Sequence, residues 1–258
     1  MKRRFILSFI MILTLIATSV LSVYAVENSY NWYCVHRKDH LQPTADPQIS
    51  FVEEYNGYYI DRSHGDGCDE KVIYLTFDAG YENGNVARIL DVMQEENVKG
   101  AFFILGNLVE KCPELVVRMF DEGHLVCNHT FSHRSIVGMS NSEIENELSK
   151  LEKTCYSMTG KTMAKYFRPP EGRFDKSSLE TVNNLGYNTV FWSFAYADWD
   201  NGNQMSNASA KAKILDNIHN GEIMLLHPTS ETNANILGDV IRELKNKGYR
   251  FGSLDELI

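Results

Sequence analysis

Several common chemistries are absent from this sequence. Its five cysteines (Cys34, Cys68, Cys112, Cys127, Cys155) form an odd set without a C-x-x-C pair, which excludes a zinc ribbon and a dithiol redox motif. At most two disulfides could form, and none is expected; Cys127 reads as a small core residue. There is no phosphate-binding loop of the G-x-x-x-x-G-K-S/T type and no G-x-S-x-G nucleophile elbow. Positive charge is also scarce. With 25 Lys and Arg against 34 Asp and Glu, the net charge of -9 works against nonspecific nucleic-acid binding, which needs a basic face to displace phosphate counterions. The remaining composition, 43% hydrophobic and 23% charged over 258 residues, is ordinary globular usage and suits one α/β domain with a full core.

The one basic cluster lies at the start. Lys2, Arg3 and Arg4 precede an apolar run from Phe5 to Val23, and Val23-Tyr24-Ala25 puts small residues near the positions of a signal cleavage site. Residues 1–25 therefore read as a signal peptide, or as an uncleaved anchor of about the ~20 residues a bilayer requires. Either reading exports the rest of the chain, with membrane contact only through that N-terminus. Residues 26–70 are rich in polar and turn-forming types and read as an extension. Trp32, Tyr33, Tyr58 and Tyr59 in this stretch are expected to pack on the main body, with sugar stacking as a secondary use.

From Lys71 onward, short apolar runs alternate with helical patterns. Strands are expected at Lys71 to Phe77, Gly100 to Leu105, Leu125 to Asn128, Tyr166 to Phe167, Thr189 to Phe194, Glu222 to Leu226 and Tyr249 to Phe251. Helices are expected at Asn85 to Glu96, Pro113 to Glu122, from a Ser140/Glu143 capping box to about Gly160, and around Ser177 to Leu185, Ala208 to His219 and Asn233 to Lys247. This alternation implies a parallel sheet, either closed as a barrel or open and doubly wound; periodicity does not choose between them. In both folds the chemistry gathers where strands end and the following loops begin.

Four such ends carry polar groups. Asp78 follows the first strand and precedes Gly80, although a loop aspartate is often only a turn residue. His129 and His133, four apart, are expected on one side of a helical turn, where two imidazoles can ligate a metal; chance spacing is the bland alternative. Arg168 is followed by two prolines, Glu171 and Gly172, a context that fixes a guanidinium beside a carboxylate or else forms a plain surface loop. His227 ends a further apolar strand, where a lone histidine is more often structural. Their conjunction on one rim is sufficient for metal-assisted amide hydrolysis.

These residues resemble the polysaccharide deacetylase (NodB homology) family, carbohydrate esterase family four, over about residues 71–258. The resemblance rests on TFDAG at 76–80, HTFSH at 129–133, RPPEG at 168–172, FWSFAYADW at 191–199 and LLHP at 225–228. It implies a distorted (β/α) barrel catalytic domain preceded by the short extension. It also implies Asp78 as general base, His227 as general acid, Arg168 as the group positioning Asp78, and His129 and His133 as ligands of a divalent metal, Zn2+ first with Co2+ or Mn2+ as alternatives. Trp199, which would wall the pocket and help keep His227 in place, joins Pro170, Gly172 and Arg173 as the expected substrate-binding residues. Two family carboxylates are replaced, by Ala79 (usually the third metal ligand) and Ala195 (four residues before the tryptophan), so a metal should be held more weakly. Asp198 has a different offset from that second family aspartate, and its role is not transferred.

Both replacements, with the TFDAGYENG continuation, look like the subgroup that deacetylates N-acetylmuramic acid on the way to muramic δ-lactam in spore cortex peptidoglycan. The implied partner is then a peptidoglycan glycan strand, its peptide stem removed first by an N-acetylmuramoyl-L-alanine amidase. Arg173 would pair with the freed lactyl carboxylate. An N-acetylglucosamine deacetylase acting on peptidoglycan or chitin is the alternative with the same chemistry, and a noncatalytic glycan-binding module is the alternative without it.

Overall fold

The computed structural model of the protein describes residues 29–257, so the expected signal peptide or anchor at 1–25 lies outside the described residues. In chain order the elements are β1 (Tyr30–Asn31), β2 (Cys34–Val35), β3 (Thr44–Ala45), β4 (Gly57–Tyr58), β5 (Lys71–Ala79), α1 (Asn85–Glu95), β6 (Ala101–Ile104), α2 (Gly106–Lys111), α3 (Pro113–Asp121), β7 (Leu125–Asn128) and α4 (Asn141–Thr159). There follow β8 (Tyr166–Phe167), β9 (Arg173–Phe174), α5 (Lys176–Asn184), β10 (Asn188–Val190), α6 (Asn207–Asn217), β11 (Glu222–Leu226), α7 (Glu231–Asn246) and β12 (Tyr249–Phe251).

The main sheet runs β11-β5-β6-β7-β8-β10-β4, with β12 also paired to β5. Every one of these pairings is parallel. The nine residues of β5 show why. Val72 and Tyr74 join Phe103, Cys127, Val190 and Ile223 on the inner face, while Ile73, Leu75, Phe77 and Ala79 pack under the helices. A strand buried on both faces needs a nearly continuous apolar sequence, as found here. Beyond β10 the chain curls back: Phe194 bridges Met224 in parallel, Ser193 N donates to Ile223 O at 3.0 Å, and Leu225 N donates to Phe194 O at 2.9 Å. The curled sheet therefore meets its own far edge, as the expected distorted barrel requires. That return is also why the strand expected at Thr189 to Phe194 is regular only at Asn188–Val190.

Helix boundaries follow local chemistry. Ser140 and Glu143 form the expected capping box, and Asp175 with Ser178 forms a second at α5. The short α2 was not expected; Cys112, with φ -138° and ψ 53°, and Pro113 at the first turn of α3 separate it from the next helix. Of the expected 26–70 extension, residues 29–70 pack on the main body. Its β4 lies parallel to β10, its β1 pairs with β9, and Trp32 stacks on Phe191 with ring centroids 4.4 Å apart while its Nε1 donates to Trp192 O at 2.8 Å. All five cysteines are free. Among the described residues no helix is long and apolar enough to cross a membrane.

Candidate active site

Asp78 emerges at the C-terminal end of β5, and its Oδ1 accepts from Arg168 Nη1 at 2.8 Å. Arg168, in the loop after β8, is fully buried and leaves none of its nitrogens idle. Nε donates to Val190 O at 2.9 Å, Nη2 donates to Thr76 Oγ1 at 2.9 Å and to Phe191 O at 3.1 Å, and the guanidinium lies 4.2 Å from the Phe103 ring centroid. Only a planar, forked cation can reach the end of β10, Thr76 within β5 and a carboxylate together. Burial pushes the Asp78 carboxyl upward, but His129, Arg168 and His227 together outweigh it and hold the group below the usual aspartate range. Asp78 is therefore ionised at neutral pH.

The histidine pair departs from expectation. Residues 129–133 are not a helical turn; Thr130 and His133 both adopt left-handed backbone, at φ 70° and 59°. Side chains hold this uncommon shape: Asn128 Oδ1 accepts from Thr130 N at 2.9 Å, Thr130 Oγ1 accepts from His133 N at 3.0 Å, and Glu147 Oε2 accepts from both Ser132 N and Ser132 Oγ at 2.9 Å. The rings of His129 and His133 come to 5.0 Å between centroids. His129 Nδ1 sits 2.8 Å from Arg168 O, and since a carbonyl only accepts, Nδ1 carries the proton. Nε2 is left with its lone pair, 3.4 Å from Asp78 Oδ2.

His227, just past β11, is fixed by a residue to which no role had been given. Asp198 Oδ1 accepts from His227 Nδ1 at 2.7 Å, and Oδ2 accepts from the His227 backbone N-H at 2.8 Å and from Asn233 Nδ2 at 2.6 Å. Asn233 Oδ1 in turn accepts from the Tyr196 hydroxyl. Asp198 is almost wholly buried, so this arrangement presents the free His227 Nε2 to the cleft and not the carboxylate. Burial lowers the His227 pKa, but the Asp198 hydrogen bond and charge, with Asp78 beyond, bring it above the usual histidine value. Trp199 meets His227 edge to face at 6.2 Å and is 61% exposed, so the imidazole is gripped by Asp198 with the indole standing beside it.

Asp78, His129, His133 and His227 all open into one cleft of ≈ 780 Å³, which Gly172 and Trp199 also line. Arg168 lies beneath it. Pro170 is buried and Arg173 sits in β9, 3.9 Å from Glu171; neither lines the cleft, although Glu171 does. Gly172 has φ +65°, and a Cβ there would stand 2.7 Å from the Trp192 ring, which accounts for glycine at the cleft wall. A smaller cavity of ≈ 440 Å³ around Asp61 and Arg62 contains none of these groups. A second serine-histidine-acid set exists at the other end of β11, where His219 Nε2 lies 2.8 Å from Ser193 Oγ and Nδ1 3.1 Å from Glu222 Oε2. All three are buried and absent from the cleft walls, and burial drives Glu222 well above the usual carboxylate range and His219 down to about 4. That set is structural.

No group of three or more His, Cys, Asp and Glu among the described residues forms a metal cage. Residue 79 is alanine, packed in the apolar layer under the helices. The donor set nevertheless fits a divalent ion: His129 has its tautomer fixed by a carbonyl, as metal-bound histidines usually do, and His133 stands beside it. Two imidazoles without a third protein ligand suit a site completed by water and weaker than a closed cage.

A barrel rim bearing an ionised aspartate, an imidazole pair and a histidine held by a buried aspartate is an arrangement suited to a hydrolase of acyl groups. Residues 66–190 match the family described as polysaccharide deacetylase. The peptidoglycan-N-acetylmuramic acid deacetylase PdaA of Bacillus subtilis is 39% identical over 246 residues, covering 95% of this chain and 92% of that protein. A peptidoglycan-N-acetylglucosamine deacetylase of Bacillus cereus is 32% identical over 239 residues, covering 89% of this chain and 84% of that one. The solved structure of Bacillus subtilis PdaA, described as a family 4 carbohydrate esterase, superposes with a TM-score of 0.83 at 40% identity, covering 89% of this chain and 96% of that one. The chain belongs to the polysaccharide deacetylases of carbohydrate esterase family 4, and its activity is hydrolytic de-N-acetylation of a polysaccharide.

Proposed function

We propose that this enzyme acts outside the cytoplasm on peptidoglycan and removes the acetyl group of N-acetylmuramic acid. The observation that carries the chemistry is the convergence of two oriented pairs, Asp78 on Arg168 and His227 on Asp198, in one cleft. The muramic assignment is supported by Ala79 and Ala195 at the two replaced positions, by the TFDAGYENG run, and by 39% identity along nearly the whole length of a protein named for that substrate.

Asp78, ionised and held in place by Arg168, takes the proton from the attacking water. His227, protonated, gives its Nε2 proton to the departing amine nitrogen, which leaves poorly without it. Acid catalysis of this kind is worth ~100 to 10,000-fold. Arg168 is saturated by this chain and touches no substrate; its role is to position Asp78. Trp199 and Gly172 wall the sugar. A divalent ion held by His129 and His133, Zn2+ first with Co2+ or Mn2+ as alternatives, would supply Lewis-acid polarisation of the acetamide carbonyl.

The freed amine and the lactyl carboxylate of the same sugar then close to muramic δ-lactam with loss of water, once an N-acetylmuramoyl-L-alanine amidase has removed the peptide stem. Spore cortex is the setting this product implies. Arg173, 42% exposed beside cleft-lining Glu171, is the cation proposed for the lactyl carboxylate. The test compares acetate release from stem-free peptidoglycan and from chitooligosaccharide, with mass spectrometry of the product. Acetate and a further loss of water from the muramyl substrate alone supports this reading. Faster release from chitooligosaccharide makes the enzyme an N-acetylglucosamine deacetylase, and binding without release from either makes it a noncatalytic glycan module.

A further inference from the structure

The large apolar side chains exposed among the described residues are Tyr33, Val35, Tyr81, Tyr156, Met158 and Trp199. Of these, only Tyr81 and Trp199 line the cleft. Trp199 already belongs to the wall of the reacting sugar, whereas Tyr81 has no part in the chemistry. Yet Tyr81 stands three residues beyond Asp78, 45% exposed, on the loop that leaves β5.

Its orientation is set. The Tyr81 hydroxyl accepts from Asn201 Nδ2 at 2.8 Å, and Asn201 lies two residues beyond Trp199. Gln204 Nε2 pins that second loop by donating to Asp198 O at 3.0 Å and to Asp200 O at 2.7 Å. The phenol is thus tied at its tip to the loop that carries Asp198 and Trp199, while the ring keeps nearly half its surface uncovered. An aromatic held by its polar end with an open apolar body is suited to a ligand that is apolar on one face and polar at its edges. A pyranose ring, with C-H groups on its faces and hydroxyls around its rim, is such a ligand.

We infer that Tyr81 is the platform of a second sugar subsite, stacking the pyranose adjacent to the one whose acetamide is cut, so that the enzyme prefers oligomers to short substrates. This rests on the glycan-deacetylase reading above. It adds a preference for length, assigned to a residue outside the catalytic set. Burying about half an aromatic ring against a sugar corresponds to roughly a tenfold gain in kcat/KM for substrates long enough to reach it.

The test uses stem-free peptidoglycan oligosaccharides of increasing length, followed by acetate release and by equilibrium binding, for wild type, Tyr81→Ala, Tyr81→Phe and Asn201→Ala. In Tyr81→Ala the longer oligomers should lose about tenfold in kcat/KM and in affinity, the shortest accepted substrate changing by less than about twofold. Tyr81→Phe should retain most of the length preference, because it keeps the ring, and Asn201→Ala should lose part of it. An equal loss at every length in Tyr81→Ala, or a Tyr81→Phe enzyme as impaired as Tyr81→Ala, overturns the subsite and leaves a tie between two loops. Absence of acetate at every length in wild type contradicts the proposed activity instead, and the binding series still decides the subsite.

Discussion

Arg168 and Asp198 are the residues on which the proposed acid-base pair, Asp78 and His227, depends, although neither is placed to touch substrate. Arg168→Lys keeps the charge but loses the fork, and one ammonium cannot reach Thr76, Val190, Phe191 and Asp78 together. We expect kcat to fall by about 100-fold or more with a smaller change in KM, and stability to fall by about 1 to 3 kcal/mol from the buried acceptors left unpaired; steady-state kinetics and urea unfolding check both. Asp198→Asn should shift the alkaline limb of the pH-rate profile to lower pH. His227 donates only when protonated, Asp198 holds its pKa up, and without that anion the burial that opposes protonation dominates. The linked stability has the same sign. A raised folded pKa contributes stability below the unfolded histidine value that is lost as pH rises through the folded one, so wild type exceeds Asp198→Asn most on the acid side of that window. An alkaline limb that stays in place would remove Asp198 from the control of His227.

At the scale of elements, the rim motifs were legible because strand-end residues carry their chemistry in their identity, and the Ser140 cap because its partner lies three residues away. Asp198 was not legible. Its partner lies 29 residues further along the chain, and its position depends on how the segment between β10 and α6 coils back toward β11. The shape of residues 129–133 was hidden for a similar reason. A four-residue spacing suits a helical turn, but the backbone groups here are satisfied by Asn128, Thr130 and the distant Glu147 on α4, which release the loop from helical geometry. Glu147→Gln should therefore act on the histidine loop. It keeps an oxygen acceptor while removing the charge that receives both Ser132 donors, and we expect a loss of ~1 to 2 kcal/mol with weaker retention of a divalent ion, read by metal titration. Unchanged titration would mean that the loop holds its shape without α4.

For the whole molecule, residues 29–70 of the extension are more closely joined to the barrel than their turn-rich composition suggested. They add β4 to the sheet, and their Trp32 sits against Phe191, whose carbonyl accepts from Arg168. Trp32→Ala should cost about 3 to 5 kcal/mol by cavity formation and should lower activity through the loosened Arg168 anchor, measurable as a lower midpoint of unfolding with a reduced kcat. A full loss of stability with kcat intact would separate the extension from the site. The barrel class was read from the alternation of strands and helices together with the family resemblance, but its closure joins β11 to the irregular segment around Ser193 and Phe194, a pairing that no periodicity announces.

The most direct test follows acetate release from stem-free peptidoglycan at saturating substrate, comparing wild type with Asp78→Asn and His227→Ala, each first shown to be folded. We expect steady release by wild type and a fall of ~100-fold or more in kcat for each variant, with substrate affinity changed little. Turnover equal to wild type in either variant would remove that residue from the mechanism.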